Sequence, residues 1–367
     1  MPKGFSGKII RINLNSKKIS IEEPGEKFFR KYLGGRGIIA HYLLKEVPPG
    51  TDPLGEENVM VITASVLTGA PVPGFGRQSV GAKSPLTGLY GESESGGFWG
   101  PELKFAGYEG LIIEGKSPSP VYIYINNDTI EIRDAAHLWG KETGETDKLL
   151  KEACGDKKIR TLIIGPAGEH MVRIAGIAHD LSHYHGRTGM GAVMGSKNLK
   201  GLVVRGTNKL EFADKEKLQE LAKFFASNFR SNADNNGQHN HGTSDYYFGA
   251  QAAGALPTKN FQTGFFEDLD YNADELHEKL KIKTEGCYAC PVRCKQVFQA
   301  EKPYTLDPTY GGPEFETLAA FGSLCGVNDM YAGPKAHEFC NRFGLDTVST
   351  GGVIAFAMEC FENGIID

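Results

Sequence analysis

The stretch PVYIYINNDTIEIRDA, residues 120–135, decides the fold class of this chain. Apolar and polar residues alternate on both sides of Asn126-Asn127-Asp128, which predicts two strands joined by a hairpin turn. Nearer the start, GKIIRINL and KKISIEE flank Asn15-Ser16 in the same way and predict another hairpin. Further short strand patterns continue to about residue 210 with few helical patterns between them, chiefly over residues 26–44 and 143–153. We therefore predict a predominantly β region rather than a regular βαβ array.

After residue 210 the spacing of apolar residues becomes helical. The run DKEKLQELAKFFASNFRSN predicts a helix that begins after Asp214, a residue type suited to an N-cap. The polar segment 231–243 predicts a loop instead. The prediction is thus an α+β fold, with a β-rich domain over residues 1–210 and a mostly helical domain over residues 211–367. Because the last helical pattern lies at the end of the chain, we expect the helical domain to be incomplete.

Composition and charge argue against several classes of protein. Hydrophobic residues make up 40% of the 367 residues, which argues against a disordered chain. The formal net charge is -5 and the basic residues are spread out, so no nucleic-acid partner is expected. No apolar run reaches the roughly 18–20 residues that a bilayer span needs. The start, MPKGFSGKIIRINL, lacks the apolar stretch of a secretory signal, and we therefore expect a cytoplasmic protein.

Three of the seven cysteines lie together in EGCYACPVRCK, residues 285–295. Cys287 and Cys290 place two thiolates on one tight loop, and Cys294 follows at a spacing that can return it to the same site. Iron–sulfur clusters are normally held by four thiolates at such compact spacings. A zinc site usually has a second Cys or His pair, and none follows here. The cluster of cysteines therefore favours iron–sulfur over zinc.

The other cysteines give weaker signals. Cys154, Cys340 and Cys360 lie in amphipathic helical patterns and are interpreted as core residues. Cys325 is open to two interpretations, a small buried residue or a soft metal ligand.

Four glycine-dense segments suggest a phosphate-bearing ligand. Glycines expose backbone N–H groups, and together with Arg or Lys they suit an anion. Each segment alone could be a β-turn, and none matches a P-loop or a dinucleotide fingerprint. Four together favour a large phosphate-bearing cofactor. The segments are YLGGRG at 32–37, GFGR at 74–77, GESESGGFWG at 91–100 and GRTGMGAVMGSK at 186–197.

These motifs, in their order, resemble the tungsten-dependent aldehyde:ferredoxin oxidoreductase family. The resemblance extends from Gly4 to the last residue and includes LTGAPVPGFGR, SGGFWGPELKFAGYEGLII, GCYACPVRC, GGPEFE and GLDTVSTGG. It implies a twisted two-sheet base for a tungsten–bispterin (or a molybdenum one), with Mg²⁺ at the phosphates and a [4Fe–4S] cluster alongside. It also implies oxidation of aldehydes to carboxylic acids, with electrons passed to ferredoxin or another iron–sulfur carrier, and a homo-oligomer or hetero-oligomer.

The resemblance assigns roles to individual positions. Arg77 is expected to bridge the cluster and a pterin phosphate, and Glu316 to transfer protons beside the metal in an enclosed pocket. The predicted cluster ligands are Cys287, Cys290 and Cys294. The predicted cofactor-binding residues are Arg77, Glu94, Gly96, His183, Tyr184, Arg187, Asn341, Leu345 and Asp346.

Several positions depart from the family pattern. Asn341 stands where the family has Asp, Glu94 where it has Asn, and His183 where it has Arg. The family's fourth cluster cysteine and a metal-site histidine lie beyond Asp367. The chain is therefore a fragment, or another chain supplies the rest, or Cys325 has been recruited, and on its own we expect little turnover. The alternative to an enzyme is a non-catalytic electron-transfer or assembly subunit, with zinc at the cysteines.

Overall fold

The computed structural model describes residues 3–367, which divide into two compact units. The first unit contains the chain up to Phe225 together with Cys287–Cys290 and Phe343–Leu345. The second contains Ala226–Gly286, Pro291–Arg342 and Asp346–Asp367. Because two short later segments belong to the first unit, neither unit is one continuous stretch of the chain. The domain boundary predicted after residue 210 stays a prediction.

The first unit contains two six-stranded sheets, and a two-stranded ribbon follows later in the chain. The strands are β1 (Ile9–Asn13), β2 (Lys18–Glu22), β3 (Met60–Ala64), β4 (Gln78–Lys83), β5 (Tyr90–Ser95), β6 (Gly110–Glu114), β7 (Val121–Asn126), β8 (Thr129–Asp134), β9 (Arg160–Ile163), β10 (Ile177–His179), β11 (His183–His185), β12 (Leu199–Arg205), β13 (Lys281–Glu285) and β14 (Lys295–Phe298).

Both predicted hairpins form. The first sheet has the order β2-β1-β6-β3-β4-β5, and β1 and β2 are the hairpin at Asn15-Ser16. The second has the order β11-β10-β9-β12-β7-β8, and β7 and β8 are the hairpin at residues 126–128. Only β1 with β6 and β7 with β12 run parallel among the described pairs. The strands of the sheet centres, such as β3 and β12, are buried on both faces, as their apolar runs require.

Thirteen α-helices lie among the described residues. They are α1 (Glu26–Tyr32), α2 (Gly35–Glu46), α3 (Trp99–Ala106), α4 (Thr143–Cys154), α5 (Pro166–Glu169), α6 (Met190–Ser196), α7 (Lys215–Asn228), α8 (Ala233–His241), α9 (Asp245–Ala252), α10 (Ala273–Leu280), α11 (Phe315–Phe321), α12 (Ala332–Phe343) and α13 (Thr347–Glu362). The α+β prediction is confirmed, with the two sheets in the amino-terminal region and helices after them.

Two helix predictions need correction. The single helix predicted over residues 26–44 is two helices, because Leu33 (φ 61°) and Gly34 (φ 121°) adopt left-handed backbone between α1 and α2. The predicted loop at residues 231–243 is mostly α8. Its first turn is capped by Asn232, whose side chain accepts the N–H of Asn235 at 2.9 Å, so polar composition did not prevent a helix. The predicted cap at Asp214 is confirmed by its bond to the N–H of Lys217.

None of the helices formed by residues 3–367 combines the length and apolarity that a bilayer crossing requires.

Candidate cofactor and cluster site

Arg77 and Gly96 lie at the same end of the hairpin formed by β4 and β5. Arg77 precedes the first residue of β4, and Gly96 follows the last residue of β5. Because these strands are antiparallel, with Gln78 opposite Ser95, the start of one strand meets the end of the other. A Cβ atom built on Gly96 would lie 3.8 Å from Nη1 of Arg77. The sheet therefore brings two predicted cofactor motifs together.

The loop that carries Cys287 and Cys290 belongs to the first unit and is attached to the chain that leaves β5. The N–H of Tyr288 donates to the carbonyl of Gly97 at 3.0 Å, and the N–H of Cys290 donates to the carbonyl of Cys287 at 3.1 Å. A Cβ atom built on Gly96 would lie only 2.6 Å from Sγ of Cys287. A glycine is required at this point because any side chain would displace the sulfur.

Gln78, His179 and His185 form a buried polar network that the sequence interpretation missed. Nε2 of Gln78 lies 3.0 Å from Nδ1 of His179 and 3.4 Å from Nε2 of His185. Nδ1 of His185 lies 2.9 Å from the carbonyl oxygen of Ser93. Burial lowers the pKa of His185 to about 3, so this ring is neutral near pH 7. The sequence feature that could have revealed this network is the run AHDLSHYH at 178–185, which places three histidines on one hairpin.

A cavity of about 210 Å³ lies beside Arg77 and Glu94. Arg77 forms an ion pair with Glu94, and the guanidinium of Arg36 lies 3.7 Å from the same carboxylate. Arg36 also lies 3.3 Å from the carboxylate of Glu92, so two cations face two carboxylates and the local charge is balanced. A guanidinium here can bind a phosphate, and a carboxylate beside it can contact Mg²⁺. Four hydroxyl side chains line the cavity, those of Thr63, Ser65, Thr68 and Ser79.

His183, Tyr184 and Arg187 lie along β11 and the turn that follows it. His183 is buried, and its Nε2 lies 3.7 Å from Sγ of Cys287. Tyr184 packs on Gly176, where an added Cβ would lie 2.4 Å from Cε1 of the ring. Arg187 is exposed. This loop therefore supplies one contact to the cysteine loop, one packing contact and one exposed cation.

Glu316 lies in the first turn of α11 and is exposed within the second unit. This exposure does not match the enclosed pocket expected around it. Two residues earlier, Glu314 forms an ion pair with Lys295 and accepts a hydrogen bond from the hydroxyl of Thr243. Burial acts to raise the pKa of Glu314, but Lys295 and Thr243 outweigh it and hold that pKa below its usual range. The motif GGPEFE contains both carboxylates, and the sequence interpretation selected only one.

The residues of the predicted pterin element have local roles. In the second unit, Nδ2 of Asn341 donates to the carbonyl of Tyr310 at 3.2 Å. Asp346 caps α13, since its Oδ1 accepts a first-turn N–H at 3.1 Å. Leu345 belongs to the first unit, where it forms a β-bridge with Ala175. Their contacts with a pterin stay predictions.

The cysteines divide between the units. Cys287 and Cys290 belong to the first unit and Cys294 to the second. Among residues 3–367, no group of three or more His, Cys, Asp and Glu side chains is arranged to hold a metal ion. The assignment of the three cysteines as cluster ligands therefore stays a prediction.

Cys325 and Cys340 are both buried in the second unit. Sγ of Cys325 lies 3.2 Å from the carbonyl oxygen of Ala320, and burial raises the pKa of its thiol. A thiol that resists ionisation favours the core interpretation of Cys325 over the metal-ligand one. Cys154 and Cys360 are only partly buried, so the core interpretation fits them less well than Cys340.

The donors of the first unit fit the expected cofactors in chemical type. Two thiols share one loop, which suits iron. The guanidinium of Arg77, hydroxyl groups and a carboxylate surround one cavity, which suits a phosphate with Mg²⁺. Gly96 leaves room for the sulfur of Cys287 where any other residue would not.

Comparison with known proteins adds family evidence to this geometry. Residues 9–206 match the family model described as aldehyde ferredoxin oxidoreductase, N-terminal domain, and residues 220–367 match the model described as domains 2 and 3. The tungsten-containing aldehyde ferredoxin oxidoreductase of Thermococcus kodakarensis is 42% identical over 365 residues, covering 99% of this chain and 60% of the relative. The WOR-like subunit of the aliphatic sulfonate oxidoreductase of Pyrococcus furiosus is 34% identical, with the same coverage.

A solved structure shares the fold. The active site complex BamBC of benzoyl coenzyme A reductase, bound to 1,5-dienoyl-CoA, matches all of this chain with a TM-score of 0.89 and 30% identity. The match covers 57% of that protein's chain. The present chain thus spans about 60% of the length of the curated relatives it matches.

Proposed function

The chain belongs to the aldehyde ferredoxin oxidoreductase family, and we propose that it forms the cofactor-binding part of a tungsten (or molybdenum) bispterin oxidoreductase. The proposed reaction is the oxidation of aldehydes to carboxylic acids, with electrons delivered through a [4Fe–4S] cluster to ferredoxin or a similar carrier. The observation that carries this proposal is the meeting of Arg77, Gly96 and Cys287 in the first unit, where a guanidinium, a close backbone and a thiol converge.

In this proposal Cys287, Cys290 and Cys294 bind the cluster, with a fourth ligand from outside these residues. Arg77 would hold a pterin phosphate beside the cluster, because it lines the hydroxyl-lined cavity and its Nη1 lies near Gly96, which approaches the sulfur of Cys287. When bound, the tungsten–bispterin supplies the two-electron redox chemistry that no side chain of this protein provides. The remaining predicted cofactor contacts are Glu94 with Mg²⁺, Gly96, His183, Tyr184, Arg187, Asn341, Leu345 and Asp346.

Aldehyde oxidation also requires a group that moves a proton. Glu316 keeps this role in the proposal because its position matches the family motif. Glu314 is the competing carboxylate, since it is the more enclosed of the two and is already ionised beside Lys295. Glutamine variants of each separate the two, because Gln keeps the size of Glu but cannot accept a proton. We expect Glu316→Gln to lower kcat by about 10²-fold or more, and full activity in this variant would transfer the role to Glu314.

The test of the proposal is elemental and cofactor analysis of the protein at its natural full length, purified without oxygen. We expect iron, inorganic sulfide, tungsten or molybdenum, and pterin. Stoichiometric zinc without iron would overturn the proposal and support a non-catalytic subunit. Cys287→Ser is expected to remove the iron, whereas Cys154→Ser, a cysteine of α4 outside the motif, should retain it.

The substrate class is tested separately by reduction of a viologen dye. Because the relatives include an aliphatic sulfonate oxidoreductase as well as aldehyde enzymes, the assay compares aldehydes with sulfonates. Dye reduction with aldehydes is the expected result. Reduction with sulfonates alone would leave the cofactor assignment intact and overturn the aldehyde assignment.

A further inference from the structure

His183 is a buried side chain that contacts the loop carrying Cys287 and Cys290. It begins β11, and the tight turn at Asp180-Leu181 after β10 delivers it to the interior. Its side chain is buried, with 4% of the residue exposed. Nε2 lies 3.7 Å from Sγ of Cys287, within the range of a hydrogen bond to sulfur. The sequence interpretation placed His183 at a pterin, whereas its ring edge here meets a predicted cluster ligand.

The second ring nitrogen fixes which atom carries the proton. Nδ1 of His183 lies 3.3 Å from Oγ of Ser182. A hydroxyl can donate or accept, whereas a cysteine sulfur that ligates iron is a thiolate and can only accept. The arrangement that satisfies both contacts has Ser182 donating to Nδ1 and Nε2–H donating to the sulfur of Cys287. The hydroxyl therefore selects the tautomer of the imidazole.

Neighbouring groups restrict the movement of both the His183 imidazole and the Cys287 sulfur. The ring of His179 lies 5.4 Å from the ring of His183, centroid to centroid. On the sulfur's side, Gly96 lies so close that an added Cβ would be 2.6 Å from Sγ of Cys287. The loop itself is held by the bond from Tyr288 to the carbonyl of Gly97. The imidazole and the sulfur are thus confined by different elements of the same unit.

We propose that His183 is a positioning residue that donates a hydrogen bond to the Cys287 sulfur of the cluster and thereby raises the cluster's reduction potential. This inference rests on the proposed function, since it requires a cluster at Cys287. Hydrogen bonds to cluster sulfurs are one of the protein's means of setting the potential. The reduced cluster carries more negative charge on its sulfurs, so a donor stabilises the reduced form more than the oxidised form.

The experiment is a redox titration of the full-length holoenzyme, with the reduced cluster followed by EPR. His183→Leu removes the donor, and we expect the midpoint potential to shift to a more negative value. His183→Gln keeps an N–H near the position of Nε2, so its potential should remain close to that of the parent protein. Ser182→Ala loosens the choice of tautomer, and a smaller shift in the same direction is expected. His170→Leu, at an exposed histidine of the same unit, is the control and should not shift it.

A spectroscopic measurement separates the hydrogen bond from a general change in packing. With ¹⁵N-labelled histidine, the reduced cluster should show a nitrogen coupling in the parent protein that disappears in His183→Leu. If His183→Leu does not assemble a cluster, the coupling in the parent and the shift in Ser182→Ala still test the inference. Unchanged potentials in both variants, or no coupling in a protein that contains the cluster, would overturn it. Absence of iron from the parent protein would instead overturn the proposed function.

Discussion

In the first unit, several predicted cofactor residues lie around the sulfur of Cys287, whereas in the second unit Asn341 and Asp346 bond to backbone groups of their own unit. Gly96 and His183 both approach the sulfur of Cys287, although they come from different sheets. In the second unit, Asp346 caps a helix, and Asn341 binds a carbonyl within its own unit. The family motif is present in both units, and within residues 3–367 the first unit brings several of its members to one sulfur.

The difference follows from how the two kinds of element present their ends. Adjacent strand ends lie about 5 Å apart, so residues from distant parts of the chain meet there without further arrangement. Helix ends leave backbone groups without partners, and a polar residue such as Asp346 satisfies them first. A polar motif residue in the helical unit therefore has a structural role before any cofactor binds. This contrast between the units can be tested with matched substitutions.

The largest expected effect comes from adding one methyl group in each unit. Gly96→Ala in the first unit would bring a Cβ to 2.6 Å from Sγ of Cys287, so we expect the full-length protein to lose its cluster iron. Gly352→Ala in the second unit lies inside α13, with no atom within 4 Å of the added Cβ. That variant should keep its iron and gain about 0.4–1 kcal/mol in stability, because alanine favours the helix.

The measurements for this pair are iron content and circular dichroism of both purified variants. Normal secondary structure with loss of iron in Gly96→Ala is the expected result. Full iron in that variant would mean that the sulfur can move away from Gly96, and the contrast between the units would then rest on the helical unit alone.

The second pair removes a lysine from an ion pair in each unit. Lys200 of the first unit pairs with Glu169, and the two side chains are 0% and 2% exposed. Lys295 of the second unit pairs with Glu314, at 23% and 28% exposed. Lys200→Met leaves a carboxylate buried without its cation and should cost about 3–5 kcal/mol. Lys295→Met should cost about 1 kcal/mol, because water and the hydroxyl of Thr243 still reach Glu314.

Urea unfolding measures the first of these effects directly, because both tryptophans, Trp99 and Trp139, lie in the first unit. Hydrogen exchange of α11 peptides reports on Lys295→Met. If the two lysine variants lose equal stability, burial is not what distinguishes the units.

The sequence predicted the strands well because alternation along a half-buried strand is a local property. The hairpin at residues 126–128 was correctly placed for this reason. The cap at Asp214 was also correctly placed, because a cap depends only on the residues of the first helical turn. The prediction from sequence failed at residues 231–243, because a helix can form from polar residues once Asn232 caps it. Local pattern could not reveal the contact between His183 and Cys287, which are 104 positions apart. Nor could it choose between Glu314 and Glu316, because exposure depends on how α11 packs.

The smallest effect concerns acid stability, and here the two units are expected to behave alike. His185 of the first unit has its pKa lowered by burial to about 3, and His337 of the second has its pKa lowered by burial to about 4. An unfolded histidine titrates near 6.5. Between that value and the lowered pKa, the unfolded chain binds a proton that the folded unit does not. Stability therefore falls as pH falls, by up to about 1.4 kcal/mol per pH unit for each histidine.

His185→Asn should make the stability of the first unit less dependent on pH, by up to about 1.4 kcal/mol per pH unit. The measurement is urea unfolding followed by tryptophan fluorescence between about pH 6 and pH 5. The slope is the informative quantity, since the substitution also changes packing and hydrogen bonds by an amount that does not vary with pH. His337→Asn serves as the counterpart, with the pH dependence of hydrogen exchange in α12 as its measurement. Equal slopes in the parent protein and in His185→Asn would show that His185 accepts a proton while folded. In that case water would reach the buried network of Gln78, His179 and His185 in the folded protein, and the first unit would be less rigid than its contacts indicate.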